Sequence, residues 1–579
     1  MIYKSFDIET TGFSPYKGDS IFAYCIGHED GKVDVYRFDK GLSERVLAEK
    51  VLRTFFNNTN IAKVCHNYKF ELQFLLVNLQ LHIPGETEWH DTMLMSQLVR
   101  NLAPSHTLDY LCWELCGYSR DLDHKVKRLG KALGGYQNIP EYIMDPYQKA
   151  DGERTMLLFQ CWHNEIVSNP KLYKDYLTEI ELVKVTQREE SFGIQFAEKE
   201  AAVLYEWLQN QLEEITEDAY ELLGERININ SDDQLRRILY KKYNYPITKL
   251  TKKAKKPAVD KLVLMDLRDK YPNPIFDYIL KYKSYDKGLS MIESYREEAV
   301  GKNNIIHANI NTNQARTGRE SITKPALQTI SKEEVLLNPF PVPARRCFKA
   351  RSGRVLLFGD YSGIEMRLII EVTQEKRWLD LLQEGGDVHG EVAEWYFGQG
   401  YAKVQRDAAK NSSFAKAYGA GLGNIARVLG LSVEQAKPGY DLYCRNVPRI
   451  ASFTSDIVYL VEKQGYVETV FGRKLYIQLD KPYIGANYLI QGTAAGIIKR
   501  AQVNVDEYLK VKWNDEIKLV IPVHDELIIS FPRNLLRNLK PILREISEYM
   551  TDIPEITVPL EVEWKMSTTT WAKAEEIVL

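Results

Sequence analysis

Carboxylates stand at the ends of two strand-like segments in the C-terminal half of the sequence. The apolar residues 355–358 lead to Asp360, and residues 519–523 lead to Asp525 before the chain returns through residues 527–530. Two apolar runs joined by a short turn predict a hairpin. Carboxylates at rigid strand ends can hold two divalent ions about 3.5–4 Å apart, the arrangement that assists phosphoryl transfer. Because acidic turn residues are also common for solubility alone, neither segment by itself indicates a site.

A helix with cationic and aromatic side chains is predicted between these two acids. Residues 405–419 have good helix propensity and end at a glycine. Functional side chains recur at intervals of four, at Arg406, Lys410, Phe414 and Tyr418. Cations can grip the phosphates of a nucleoside triphosphate, and a flat ring can abut its base. A helix that simply turns its aromatic residues toward a core would show the same second half, so the helix alone leaves both interpretations open.

A second group of acids lies near the N-terminus. The order Phe6-Asp7-Ile8-Glu9 places both acids on one face of a strand. Glu71 follows, and Tyr147 and Asp151 are spaced to share a helical face. Four carboxylates and a tyrosine could hold two metal ions and orient a water molecule. The alternative is that alternating acids protect the edge of a sheet.

These segments resemble the signature motifs of family A, polymerase I-like DNA polymerases. The three polymerase motifs are residues 360–367, the helix at 406–419, and His524-Asp525-Glu526. Further motifs of the family occur before, between and after the helix and the first acid, in the order that the family has. They are Thr317-Gly318-Arg319, Gln328, Arg345, His389, Gly472-Arg473, Asn487 and Gln491. The N-terminal acids resemble the motifs of the 3′-to-5′ proofreading exonucleases that precede such polymerases.

The resemblance implies an α/β and α+β multidomain fold. A ribonuclease H-like exonuclease domain is expected at 1–168 and a right-hand polymerase domain at 169–579. Within the second, the expected subdomains are the thumb at about 190–304, the palm at about 305–390 and 510–579, and the fingers at about 391–509. Because the exonuclease motif begins at Asp7, no room remains for the 5′-nuclease domain of bacterial repair polymerases, and a phage-type enzyme is expected.

Local patterns predict the same order of regions. A mixed α/β region extends to about residue 168, and apolar spacing is mostly helical from 172 to 302. Strand-like and turn-like segments are predicted between 305 and 368, followed by helices from 388 to about 506.

The resemblance also implies a role for each motif residue. Two Mg²⁺ ions, for which Mn²⁺ could substitute, would be bound in the polymerase site by Asp360, Asp525 and the backbone carbonyl of Tyr361. Lys410 would bind the triphosphate and protonate the departing pyrophosphate. The other expected nucleotide contacts are Arg406, His389, Phe414, Tyr418 and Glu365. Of these, Glu365 would exclude a 2′-hydroxyl on the sugar. The expected DNA contacts are Arg319, Gln328, Arg345, Asn487, Gln491 and His524. In the exonuclease site, two ions would be bound by Asp7, Glu9 and Asp151, with Glu71 and Tyr147 completing the catalytic set.

The expected activity is template-directed addition of dNTPs to a primer 3′ end, with 3′-to-5′ proofreading, in phage DNA replication. Expected partners are primer–template DNA, dNTPs and single-stranded DNA 3′ ends, and the protein is expected to be a monomer, with replication accessory proteins as further candidates. Two alternatives stay open. Glu71 stands where the family has aspartate, which could weaken the exonuclease. The polymerase half could also grip DNA without copying it, although the retained Asp360, Lys410 and Asp525 argue against this.

Composition sets the outer limits of these interpretations. A chain of 579 residues with 44% hydrophobic content predicts two or more domains. No apolar run approaches the roughly 18 residues of a membrane span, and no signal-peptide core follows Met1, so a cytoplasmic protein of a bacterial or phage-infected cell is expected. The seven scattered cysteines show no zinc-site spacing. The net charge of -3 gives no sign of nucleic acid, and the basic residues 249–256 stay undecided between a DNA contact and a solvated loop.

Overall fold

The computed structural model describes residues 1–330 and 339–579. Within these two ranges the strands form five sheets, and helices cover or connect them. No helix in this described part of the chain has both the length and the apolar composition needed to cross a bilayer.

The N-terminal region is built on a five-stranded mixed sheet. Its spatial order is Val33–Arg37, Ile21–Gly27, Ile2–Thr10, Ile61–Cys65 and Trp89–Asp91. The central strand, Ile2–Thr10, runs antiparallel to Ile21–Gly27 and parallel to Ile61–Cys65. Parallel neighbours need a crossover, and the helix Leu42–Asn57 lies within it.

Helices cover both this sheet and its edges. The longer ones are Tyr68–Val77, Thr92–Val99, Leu108–Cys116, Asp121–Leu133 and Glu141–Val167, and the 3₁₀ turns are Pro15–Lys17 and Tyr136–Asn138. The mixed α/β character predicted for this region is therefore confirmed. Phe6 and Ile8 are buried in its core at 0% and 5% exposure, which fixes the strand that carries Asp7 and Glu9.

A helical region follows, as the apolar spacing predicts. Its helices are Pro170–Phe192, Glu198–Leu223, Asp232–Arg236, Lys261–Lys270 and Ile275–Glu298, with a π-helical turn at Arg237–Lys242. A four-stranded sheet joins it to the rest of the chain, in the order Phe348–Lys349, Ile194–Phe196, Ile305–Ile306 and Ala299–Val300. The basic residues 249–256 form an exposed turn whose end lysines pair with acids, Lys249 with Asp260 and Lys256 with Asp233.

The C-terminal half is organised around a second five-stranded sheet, which is antiparallel throughout. Its order is Lys518–Val523, Glu526–Pro532, Arg354–Tyr361, Val562–Ser567 and Glu575–Ile577. Two small hairpins lie beside it, formed by Asn309–Asn311 with Ser321–Thr323 and by Tyr466–Glu468 with Lys474–Tyr476.

Nine further helices lie in the described part of this half of the chain, and many of their apolar residues share one buried core with the sheet. They are Ile364–Thr373, Lys376–Gln383, Val388–Phe397, Lys403–Ala417, Leu422–Leu429, Val433–Asn446, Pro448–Gln464, Ile484–Trp513 and Leu539–Thr551. Shorter 3₁₀ turns lie at Leu327–Thr329, Ala344–Cys347, Arg533–Asn538 and Trp571–Lys573.

One prediction about this half is wrong. The strand-like and turn-like character predicted for residues 305–368 ends earlier, because a helix begins at Ile364 and a second one precedes residue 388. The helix Ile364–Thr373 is rich in β-branched and apolar residues, which favour a strand locally. Its burial against the helices Pro448–Gln464 and Ile484–Trp513 outweighs that local preference.

Candidate functional site

Asp360 and Asp525 lie side by side at one end of the second sheet. Asp360 is near the end of the strand Arg354–Tyr361 and pairs with Glu526 on the neighbouring strand. Asp525 occupies the tight turn between Lys518–Val523 and Glu526–Pro532, where His524 has a φ of 57°. The Tyr361 N–H donates to the Asp525 carbonyl over 3.2 Å, which fastens the turn to the end of the Asp360 strand. The predicted hairpin is therefore confirmed, and it brings the two acids together.

A cavity of about 320 Å³ opens directly over this pair. Four segments supply its walls: the sheet end, the start of the helix Ile364–Thr373, the helix Lys403–Ala417, and the 3₁₀ turn Ala344–Cys347. The motif residues that line it are Asp360, Tyr361, Glu365, Lys410, Phe414, His524, Asp525 and Arg345. The carboxylates of Asp360 and Asp525 can ligate cations, the Lys410 ammonium can bind phosphate, and the Phe414 ring can pack against a base or sugar.

The helix predicted at residues 405–419 is present at Lys403–Ala417. It presents Lys410 and Phe414 to the cavity, whereas Arg406 and Tyr418 do not line it. Tyr418 follows the helix as its C-cap residue, with a buried hydroxyl that has no hydrogen-bond partner among the described residues. Burial raises the pKa of the Tyr418 hydroxyl, and the Glu365 carboxylate raises it further, so these two side chains are neighbours.

Arg406 and His389 meet at the outer end of this helix through a shared partner. The Arg406 guanidinium donates two hydrogen bonds to Asp387, at 2.6 and 2.8 Å. Asp387 also caps the helix Val388–Phe397 by accepting from the His389 N–H at 3.1 Å. Asp387 was absent from the expected site residues, although it belongs to the motif that contains His389.

The His389 ring lies near Phe414, which lines the cavity. Its centroid is 5.9 Å from that of Phe414, and its buried Nδ1 has no hydrogen-bond partner among the described residues. Burial lowers the pKa of His389 to about 4, and the neighbouring Lys410 cation acts in the same direction. The imidazole is therefore neutral near pH 7 and offers a polar atom rather than a fixed charge.

Of the expected DNA contacts, Arg345 and His524 line the cavity, and Arg319, Gln328, Asn487 and Gln491 lie outside its lining. Arg319 donates to Glu365 over 3.3 Å, and Arg345 stacks its guanidinium 4.8 Å from the Trp571 ring. Gln328 donates to the Glu320 carbonyl over 3.1 Å. Asn487 and Gln491 lie one turn apart on the helix Ile484–Trp513, both partly exposed and outside the cavity lining.

A separate acidic cluster lies in the N-terminal region. Asp7 and Glu9 come from the central strand Ile2–Thr10, and Asp151 comes from the helix Glu141–Val167 that packs on it. One oxygen from each of these three carboxylates lies within 4.8 Å of the others, close enough to share a metal ion. The donors are all carboxylate oxygens, a set that suits Mg²⁺ or Mn²⁺.

The electrostatics of this cluster also suit a cation. Burial raises the pKa of Asp7 to about 7. Burial is the main cause of the raised pKa values of Glu9 and Asp151 as well, and the charge of Asp7 raises both further. Like charges held together away from water favour protonation or a bound cation.

Tyr147 and Glu71 border the cluster differently. Tyr147 lies one turn from Asp151 along the same helix, as the predicted spacing requires, and its hydroxyl acts to lower the pKa of Asp151. Glu71 is 2% exposed and is not one of the three carboxylates that could share an ion. Burial raises the pKa of Glu71, with the Asp7 charge as the next cause, so Glu71 faces the cluster from one side.

Two residues near this cluster could not be found from the motifs. Arg154 is 3% exposed and pairs with Asp151 at 3.4 Å and with Asp123 at 2.9 Å. Asp123 lies on another helix, Asp121–Leu133, so local spacing gives no sign of this pair. Asp91 accepts from the N–H groups of Asn67 and Tyr68 at 3.0 and 2.9 Å and so holds the start of the helix that bears Glu71.

Comparisons with known proteins agree with this architecture. The model of DNA polymerase family A matches residues 198–573, and that of a 3′-5′ exonuclease matches residues 3–166. DNA polymerase I of Pseudomonas aeruginosa is 28% identical over 96% of this chain and 62% of its own length. The thermostable DNA polymerase I of Thermus thermophilus is 29% identical over 73% of this chain and 52% of its own length. The chain thus spans less than two thirds of these relatives.

A solved structure has the same fold. The POL domain of Pol1 from M. smegmatis, in complex with DNA primer-template and dNTP, superposes with a TM-score of 0.82 at 23% identity, covering 99% of this chain and 96% of that one. The α/β and α+β multidomain fold implied by the motifs is therefore confirmed. Since the polymerase model alone matches more than half of the chain, the protein belongs to DNA polymerase family A, with a 3′-5′ exonuclease region before the polymerase region.

Proposed function

We propose that the cavity over Asp360 and Asp525 performs template-directed DNA synthesis. The observation that carries this proposal is the convergence of Asp360, Asp525, Lys410 and Phe414 on one cavity from three separate segments. In the proposed reaction the 3′-hydroxyl of a primer attacks the α-phosphorus of a dNTP, and pyrophosphate departs. DNA primer-template and dNTP, which accompany the structurally similar M. smegmatis domain, are the proposed partners here.

Asp360, Asp525 and the Tyr361 carbonyl would hold two Mg²⁺ ions, or Mn²⁺ in their place. When bound, the ions would lower the pKa of the attacking hydroxyl and stabilise charge on the phosphates. The carboxylates stand on rigid strand ends, which keeps the ligand geometry fixed before substrate arrives.

The helix Lys403–Ala417 would bind the nucleotide. Lys410 lies in the cavity wall, where it would bind the triphosphate and donate a proton to the departing pyrophosphate. Arg406 would leave its pairing with Asp387, or share it, to neutralise the same phosphates, and the unsatisfied Nδ1 of His389 would donate or accept beside them. Phe414 would pack against the sugar and base, with Tyr418 behind it.

Glu365 would select the sugar. It lines the cavity close to Phe414 and is held in place by Arg319 at 3.3 Å. An apolar pocket rejects an added hydroxyl by only about 10²-fold, so a fixed polar wall is needed to restrict the product to DNA. The proposed DNA contacts around this site are Arg319, Gln328, Arg345, Asn487, Gln491 and His524.

The N-terminal cluster would remove nucleotides from single-stranded 3′ ends. Asp7, Glu9 and Asp151 would hold the two ions of this site, and Tyr147, one turn from Asp151 on the same helix, would orient the attacking water. Because Glu71 lies outside the group of three that could share an ion, an exonuclease of reduced rate is the second candidate function for this region.

The proposed setting is phage DNA replication in the cytoplasm of an infected bacterium, with the protein acting as a monomer and replication accessory proteins as further partners. The proposed domains are 1–168 for the exonuclease and 169–579 for the polymerase, the latter divided into thumb at about 190–304, palm at about 305–390 and 510–579, and fingers at about 391–509.

A primer-extension assay with Mg²⁺ and one dNTP at a time tests the polymerase proposal. The wild-type protein should add the nucleotide complementary to the template and reject the other three. Lys410→Ala should slow addition strongly, whereas Lys416→Ala on the same helix should not, because Lys416 lies over the Tyr440 ring at 5.2 Å instead of in the cavity. No templated addition by the wild type would overturn the proposal.

A further inference from the structure

One small hairpin touches both halves of the protein. Its strands are Asn309–Asn311 and Ser321–Thr323, joined by the loop at 312–320, and it is called the bridging hairpin (residues 309–323) below. The loop carries Arg319, which bonds Glu365 at the edge of the polymerase cavity. The strand Asn309–Asn311 faces the N-terminal region, where Lys69 meets it.

Lys69 is fixed by three acceptors that use all of its ammonium hydrogens. Its Nζ donates to Glu190 at 2.7 Å, to the Asn309 side chain at 2.6 Å and to the Ile310 carbonyl at 2.7 Å. The same Glu190 oxygen accepts from the Ile310 N–H at 2.6 Å, so lysine, glutamate and strand form one closed unit. Lys69 and Glu190 are 8% and 3% exposed, which strengthens these bonds by excluding water.

Lys69 is also on the helix that carries Glu71, a residue of the candidate exonuclease site. It lies in the first turn of the helix Tyr68–Val77, two residues before Glu71. Gln73, one turn further along, donates to the other oxygen of Glu190. The face of this helix opposite the carboxylate cluster is therefore fastened to Glu190 and, through it, to the bridging hairpin.

A second contact from the N-terminal region reaches the loop end of the bridging hairpin. Asn101 is 6% exposed, and its amide donates to the carbonyls of Arg316 at 3.3 Å and Tyr476 at 3.2 Å. Its side-chain oxygen accepts from the Tyr476 N–H at 2.9 Å. Asn101 is on no element that carries an exonuclease acid, so it holds the loop without touching that site.

The polymerase side holds the same hairpin by buried polar contacts. Arg473, which is 6% exposed, donates to Asn313 at 2.9 Å, and Gln502 donates to Glu320 at 2.6 Å. A shift of Lys69 would therefore move the bridging hairpin, and Arg319 with it, relative to Glu365, and would move the Glu71 helix relative to the carboxylate cluster.

We propose that Lys69 is a positioning residue for both active sites, holding the Glu71 helix and the bridging hairpin in register. This inference rests on the proposed function, because it assigns one support to the two proposed activities. Lys69 touches neither substrate, and it acts through Glu71 in one site and through Arg319 and Glu365 in the other.

The test compares substitutions that break interdomain contacts of similar type. Lys69→Met removes the cation, and Lys69→Met with Glu190→Gln removes it without leaving a buried charge unpaired. Lys17→Met is the control for loss of an ion pair between the same halves, since Lys17 pairs with Glu298 at 2.6 Å but lines neither site; this pair is more exposed than the Lys69 pair, with side-chain exposures of 38% and 22% against 10% and 2%. Asn101→Ala loosens only the loop end of the bridging hairpin.

The measurements are the KM for primer–template and the kcat of extension with Mg²⁺, the degradation rate of a single-stranded oligonucleotide, and the melting temperature. Both Lys69 variants should raise the KM about threefold or more and slow degradation by a similar factor, with a smaller change in the kcat of extension. Asn101→Ala should raise the KM and leave degradation unchanged, and Lys17→Met should change neither activity.

Folded Lys69 variants that behave like Lys17→Met, or that lose only one activity, would overturn the inference while leaving the proposed function intact. If both variants fail to fold, Asn309→Ala, which removes one acceptor of three, takes their place, and changes in both activities are still required. A wild-type protein that extends no primer would overturn the proposed function, and the shared role of Lys69 with it.

Discussion

The two acidic sites of this protein handle negative charge in different ways. In the N-terminal cluster, Asp7, Glu9 and Asp151 crowd within 4.8 Å, and burial raises their pKa values. In the C-terminal cavity, Asp360 and Asp525 share an open space with Lys410 and Arg345 on its walls. The first site groups three acids that could share a cation, and the second combines two acids with side-chain cations in one cavity.

This difference matches what each site is proposed to bind. A single-stranded end brings one reacting phosphate, which the ions of a tight cluster can neutralise. A dNTP brings three phosphates, so side-chain cations must be added to the ions. The cavity obtains them from Lys410 on the helix Lys403–Ala417 and from Arg345 on the turn Ala344–Cys347, whereas the three acids of the cluster come from one strand and one helix packed on it.

The largest expected effect comes from separating the sites by Asp525→Asn. Loss of a single charge-stabilising donor already costs about 10²–10³-fold in other enzymes, so loss of a carboxylate ligand should slow primer extension by about 10³-fold or more. Degradation of single strands should continue at the wild-type rate. Both rates are measured with end-labelled oligonucleotides, and an equal loss of the two would contradict independent sites.

The next largest effect is expected from Asp7→Ala. Removing an outer-shell partner of a metal costs about 10–100-fold, so removing a direct ligand should slow 3′-end degradation by about 100-fold or more. Extension of a matched primer should be unchanged. Degradation of a 3′-labelled single strand is the readout, and persistence at the wild-type rate would mean that Asp7 is not a ligand.

A smaller effect, on selectivity rather than rate, is expected from Glu365→Ala. Without this wall, rejection of ribonucleotides should fall toward the about 10²-fold that a plain pocket gives. The comparison is the kcat/KM for dNTP against that for the matching NTP in single additions. Arg319→Ala should produce part of the same change because it frees Glu365. Unaltered discrimination in both variants would remove Glu365 from the sugar contact.

The smallest effect is a pH dependence of stability that comes from the N-terminal cluster. The pKa of Asp7 is raised from 3.8 to about 7, so the folded state keeps a proton that the unfolded state releases. The free energy of unfolding of the metal-free protein should therefore fall as pH rises from about 4 to about 7. Asp7→Asn should flatten this fall, and Mg²⁺ should oppose it by neutralising the charge.

Denaturant unfolding at several pH values, with EDTA or with Mg²⁺, measures this dependence. An identical pH slope in the wild type and Asp7→Asn would show that Asp7 does not retain its proton on folding.

Much of the fold could be predicted because its signals are local. The hairpin around Asp525 follows from two apolar runs and a turn, and the helix Lys403–Ala417 follows from propensity and a terminal glycine. The helix at Ile364–Thr373 could not be predicted, because its β-branched residues favour a strand until tertiary packing is known.

Several contacts of the candidate sites were also beyond local patterns. Arg406 pairs with Asp387, Arg154 with Asp123, and Lys69 with Glu190. Each pair joins residues on different elements, and only the folded chain brings them together. The position of Glu71 beside the three-carboxylate group could not be predicted either. Whether the extra methylene of a glutamate brings its carboxylate into the group depends on how the Glu71 helix packs against the strand that carries Asp7.

The most direct test of separate synthesis and exonuclease sites is one reaction with a 5′-labelled primer on its template, all four dNTPs and Mg²⁺. The wild type should lengthen the primer, Asp7→Ala should lengthen it without shortened products, and Asp525→Asn should only shorten it. Shortening by Asp7→Ala, or lengthening by Asp525→Asn at the wild-type rate, would contradict the assignment of synthesis to the Asp360 and Asp525 cavity and of trimming to the Asp7 cluster.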